Sequence, residues 1–113
     1  MHGPGRGTIP DELLVSAAGS CFLMSLTYIL QNTDIEVIKV QINSVGKFEV
    51  SDTGIRFREL EHVADITLEK PLDNQNEAIA DIIEKADERC MVSHALPPTV
   101  KTSVIPRILI HGK

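Results

Sequence analysis

From Leu13 to Leu30 the chain carries no charged side chain. The stretch around it, TIPDELLVSAAGSCFLMSLTYILQN over residues 8 to 32, opens with helix start signals. The Thr8 hydroxyl can cap, Pro10 fits a first turn, and Asp11 stands three residues after Thr8, as in a capping box. Asp11 and Glu12 also suit the positive end of a helix dipole. Leu13, Leu14, Val15, Ala17, Ala18, Cys21, Phe22, Leu23, Met24, Leu26, Ile29 and Leu30 then leave no polar face. Such a helix is buried, and in a chain of 113 residues it is the central one. Small residues fill its middle, Ser16-Ala17-Ala18-Gly19-Ser20, so another backbone can come close there.

The remaining chain has to cover this helix. Residues 1 to 7, MHGPGRG, read as loop. Residues 35 to 50 read as a strand, with Ile38, Val40 and Ile42 on one face and a bulge marked by Gly46. Ser51-Asp52-Thr53-Gly54 is a hairpin connection. The strand from Ile55 to Glu69 alternates cleanly, with Leu60, His62, Ala64, Ile66 and Leu68 on one side. One wet face implies an antiparallel sheet. Pro71 ends that strand and Asp73 can cap a second helix. Its buried stripe is Ile79, Ile82, Ile83, Ala86 and Cys90, opposite an acidic face of Glu77, Asp81, Glu84 and Glu88. Pro97-Pro98 stops any helix. Residues 99 to 110 form a last strand, and Pro106 either places that strand at an edge or breaks it. The expectation is one α+β domain over residues 1–113, an antiparallel sheet packed on a long buried helix and a second helix. Three strands cannot cover an all-apolar helix, so a homodimer through that helix and one sheet face is expected.

Bulk charge narrows the partners. A net charge of −5 with no basic run argues against nucleic acid. Ser16, Gly19, Ser20, Ser25 and Thr27 interrupt the apolar stretch, which argues against a membrane span. No basic leader precedes it, so the cytoplasm is the default compartment.

Two cysteines are too few for a disulfide framework. Cys21 and Cys90 read either as small buried hydrophobes or as a redox pair, since each lies on a buried helical face. His94, four residues after Cys90, allows a third reading, a zinc site of Cys21, Cys90 and His94 with one open position. His62 on the apolar strand face reads as a core histidine, and His2 and His111 carry no argument. Within the pair, Gly19 and Ser20 leave room for a substrate oxygen beside Cys21. Cys90 stands near a helix C-terminus, which disfavours its thiolate, so Cys21 is expected to react first. The dipole of its own helix offers Cys21 little, because it is mid-helix.

The stretch PDELLVSAAGSCFLMSL resembles the signature of the OsmC/Ohr family of osmotically induced and organic hydroperoxide resistance proteins. Residues 90 to 96, CMVSHAL, resemble that family's second cysteine context, with Met91 where proline is usual. The resemblance runs over roughly residues 3 to 110. It implies an OsmC-like intertwined homodimer and a thiol peroxidase acting on organic hydroperoxides in oxidative stress defence. Cys21 matches the peroxidatic cysteine, and Cys90 the resolving cysteine that closes a disulfide with it. An external dithiol restores both, and no cofactor or metal is implied. Asp11 falls on the family's active-site Glu, one methylene longer, which orients an Arg. Relatives carry that Arg on strands ahead of the first helix, whereas this sequence starts almost at the helix, and nothing is carried over to Arg6. The competing expectation is a degenerate dimeric binding protein of the same fold without peroxidase activity.

Overall fold

A computed structural model describes the backbone of residues 9–112 and the side chains of residues 12–112. The Thr8 cap, the loop reading of residues 1–7 and the side chain of Asp11 lie outside the described residues. The elements are α1 (Ile9–Gln31), β1 (Val37–Ser51), β2 (Gly54–Leu68), α2 (Gln75–Arg89), α3 (Met91–Ala95) and β3 (Lys101–Ile110). Their order is the expected one, with α3 added.

α1 buries one side only. Ala18, Phe22, Ser25, Leu26 and Leu30 recur at helical spacing and are buried. Leu13, Met24 and Tyr28 face outward, with Met24 74% exposed, so a single chain does not enclose α1 as its composition suggests. The small residues do admit a close neighbour. A Cβ on Gly19 would lie 2.6 Å from Ser44 Oγ of β1, and one on Gly46 would lie 2.6 Å from Val15 Cγ2 of α1. Helix and hairpin thus approach at two glycines, one on each element.

β1 and β2 form the expected hairpin, closing at the Ser51–Gly54 pair with Gly54 at φ 132°. On β2 the row Leu60, His62, Ala64, Ile66 and Leu68 is buried throughout. On β1, Val40 and Ile42 face the core, but Ile38 does not. Val37 pairs with Leu68 and Lys39 with Thr67, so Ile38 is an extra residue turned outward. A second irregularity follows Lys47 rather than Gly46; Gly46 pairs regularly with Leu60, and Arg58 is the extra residue.

The third strand corrects the antiparallel expectation. The sheet order is β1-β2-β3, and β3 runs parallel to β2, from Glu59–Lys101 to Leu68–Ile110. Residues 69–100, with α2 and α3, form a crossover long enough to return the chain to the start of β2. Of the two outcomes open for Pro106 the edge position holds: it sits on this edge strand, opposite Ala64, and does not break it. The Asp65 carboxylate pairs with Arg107 Nε at 2.9 Å across the two strands.

The N-cap position of α2 is Asn74, in the left-handed region at φ 51°, and not the expected Asp73; the Asn74 side chain makes no capping hydrogen bond. Ile79, Ile82, Ile83 and Ala86 bury its inner stripe, and Cys90 continues it. The core lies between this stripe, the inner face of α1 and the β2 row.

Candidate active site

The site forms where α2 stops. Cys90 leaves helical geometry at φ −79°, ψ 103°, and the chain restarts as α3 at Met91. The Cys90 N–H donates to Asp87 O at 3.1 Å, and the Cys90 carbonyl accepts the His94 N–H at 3.3 Å. The first N–H groups of a helix have no partner within it. Those of Met91 and Val92 lower the pKa of Cys21 on α1. Val92 seats α3 by packing on both parts of the core, one with Cys90 and one with Ala18, Leu60 and Val100.

Cys21 and Cys90 are both free thiols, Cys21 packs against the core cluster that contains Cys90, and each shifts the acidity of the other. Their acidities diverge. Burial pushes Cys21 up, but the Val92 N–H, the Cys90 thiol and the Met91 N–H outweigh it, and the net effect lowers its pKa. Cys90 is fully buried, and burial raises its pKa. The hydroxyl and N–H of Ser93 counteract this, while Cys21 adds to it. Of the two thiols, Cys21 is therefore the one that ionises more readily. Among the described residues, the groups lowering Cys21 are backbone and thiol, and none is a cation.

Gly19 turns inward against Ser44 and Ser20 is exposed, so the glycine serves helix–strand packing. The His94 Nε2–H donates to the Glu88 carbonyl at 2.9 Å. Among the described residues no three His, Cys, Asp or Glu side chains converge to hold a metal, so Cys21, Cys90 and His94 are not a ligand set. His62 is only 1% exposed; its Nδ1 meets Ser44 Oγ at 2.6 Å and its ring stacks on Phe22 at 4.9 Å. Its Nε2 has no partner among the described residues. Burial lowers its pKa, and the carboxylate of Asp87 opposes that. The Arg89 guanidinium lies over the Tyr28 ring at 4.4 Å, joining α2 to the outer side of α1.

Sequence reasoning missed the α3 N–H groups. A five-residue helix ahead of Pro97-Pro98 has too little periodicity to be read, and its only signal was the proline pair that ends it.

A three-stranded mixed sheet, a central helix and two thiols meeting from separate helices define an OsmC-like fold. Residues 3–104 match the family described as OsmC-like protein, and the chain belongs to that family. A relative, the uncharacterised protein YmaD of Bacillus subtilis strain 168, is 27% identical over 114 residues, covering 100% of this chain and 76% of its own length. A hypothetical protein of Aquifex aeolicus VF5 has a similar structure, with a TM-score of 0.75 at 21% identity over 90% of this chain and 74% of its own. The organic hydroperoxide resistance protein OhrB of Bacillus subtilis gives a TM-score of 0.69 at 20% identity, covering 87% of this chain and 69% of its own. Against the OsmC-like protein VCA0330 of Vibrio cholerae, the chain covers 63% of that protein's length.

Proposed function

We propose that the protein is a thiol peroxidase that reduces organic hydroperoxides through Cys21 and Cys90. The observation that carries this reading is the packing of Cys21, a thiol made more acidic, against the core cluster that contains Cys90, a thiol made less acidic. The Cys21 thiolate attacks the O–O bond; an S–O bond forms, the O–O bond breaks, and the leaving alkoxide takes a proton to become an alcohol. Cys21 is then a sulfenic acid. The Cys90 sulfur attacks it, an S–S bond forms, and the hydroxyl leaves with the Cys90 proton as water. An external dithiol reopens the disulfide by exchange, and the cytoplasm is the compartment that keeps such thiols reduced. The printed name of OhrB, hydroperoxide resistance, supports the choice of substrate.

Asp11 takes the role of the family's carboxylate at the start of α1. The working unit in this reading is a homodimer, supported by the exposed apolar side chains Leu13, Met24 and Tyr28 on α1 and Met91 on α3.

The test is hydroperoxide treatment followed by mass spectrometry and thiol counting. Cys21→Ser should abolish peroxide consumption. Cys90→Ser should accumulate a trappable sulfenic acid at Cys21 and then overoxidise it. A Cys21→Ser protein that still consumes peroxide would reverse the roles. If neither cysteine oxidises faster than free thiol, the peroxidase reading fails and a binding protein of the same fold replaces it.

A further inference from the structure

Away from the thiols, strand register brings a serine hydroxyl onto a buried imidazole. Ser44 of β1 and Val104 of β3 are the two strand neighbours of His62 on β2. The His62 ring lies flat on Phe22, 6° from parallel, which fixes its plane. Its Nδ1 stands 2.6 Å from Ser44 Oγ. The two ring nitrogens point apart, so Nε2 is turned away from Ser44. Asp87 of α2 lines a groove together with Val104, the strand neighbour opposite Ser44. A carboxylate on that side favours the ring hydrogen on Nε2 and leaves the Nδ1 lone pair to accept the Ser44 O–H.

Ser44 is half-buried and lines a cavity of about 280 Å³ between α1 and β1. Gly19 keeps the hydroxyl open to it, since a Cβ there would lie 2.6 Å from Ser44 Oγ. Val15, Leu23 and Ile42 give the cavity apolar walls, and the exposed Ser16, Ser20 and Asn43 give it a polar rim. Its volume suits a short acyl group rather than a long chain. His62, 1% exposed, sits behind Ser44, out of reach of solvent.

We propose that Ser44 is a nucleophile, with His62 as its base, that takes a short acyl group from small acyl esters. The step is independent of the peroxidase reading. Ser44 Oγ bonds to the ester carbonyl carbon and passes its proton to His62 Nδ1. The ester C–O bond breaks, and the alcohol leaves with that proton. Because the imidazole is closed to water, the acyl-serine accumulates.

The experiment treats the intact protein with p-nitrophenyl acetate, follows release of p-nitrophenol, and maps acetyl groups by mass spectrometry of peptides. Wild type should give a burst and acetylate Ser44. Ser44→Ala should lose that label, and Cys21→Ser should keep it. His62→Gln should slow Ser44 acetylation roughly a hundredfold, the usual contribution of a general base. The wild-type rate should rise with pH and level off by about pH 6.5, because burial holds His62 below its ordinary value. This profile needs no variant and decides the matter if His62→Gln does not fold, which far-UV circular dichroism reports. Acetyl groups on cysteine or lysine alone, equal rates in wild type and a folded His62→Gln, or a rate that climbs with pH without levelling each overturn the proposal.

Discussion

His62 is a buried titratable ring with one nitrogen paired and the other without a partner among the described residues. Its pKa is depressed, first by burial, with Asp87 opposing. The unfolded chain titrates near pH 6.5, so the unfolded state binds the proton first as pH falls. The stability contributed by neutral His62 is full above that value and is lost as pH drops through it towards the lowered folded pKa. Urea midpoints at pH 8, 6 and 5 should fall more steeply in wild type than in His62→Gln, and parallel slopes would sink this account. Gly19→Ala sets two effects against each other. Helix propensity gains about 1 kcal/mol. Overpacking against Ser44 costs about 1–3 kcal/mol, and moving Ser44 takes its hydroxyl away from His62 Nδ1, which costs about 1–3 kcal/mol more. Net destabilisation of roughly 1–5 kcal/mol is expected by urea denaturation, and a neutral or stabilised variant would contradict it. The burial of His62 was legible from the alternation of β2. Its pairing was not, because Ser44 is brought opposite it only by strand register.

Elements read best where period and burial coincide. The α2 stripe was legible as Ile79, Ile82, Ile83, Ala86 and Cys90 because one side of that helix is acidic and the other aliphatic. Ile79→Ala should cost about 2–4 kcal/mol in chemical denaturation. Glu77→Gln on the exposed face should change stability by less than about 0.5 kcal/mol, and comparable losses in the two would reject the assignment of faces. The direction of β3 was not legible, since alternation with one wet face looks the same in parallel and antiparallel pairs. The length of the connection was the usable signal: residues 69–100 carry a helix, which a parallel return needs and a hairpin does not. Ile38 shows a different limit, because one extra residue in a strand reverses the outward and inward sense at that point.

At the scale of the molecule, the outer side of α1 decides what the chain associates with. Met24 and Met91, 74% and 79% exposed, are long apolar side chains in water. If they meet a second copy, wild type should sediment as a dimer at micromolar concentration and Met24→Glu should shift it towards monomer. A well-folded wild-type monomer would remove the dimer from the proposed function. The parallel pairing of β2 with β3 has a consequence in time. The β1–β2 hairpin can close locally, but β3 can dock only after its crossover has been threaded over the sheet. Cys90 lies in that crossover, at a joint whose far end is anchored by β3. During refolding, therefore, the hairpin should appear first and the acidity of Cys21 last. In stopped-flow refolding with a thiol-reactive dye, Cys21 should become fast-reacting only in the final phase, so that a chain still assembling carries a cysteine not yet able to spend itself on the wrong partner.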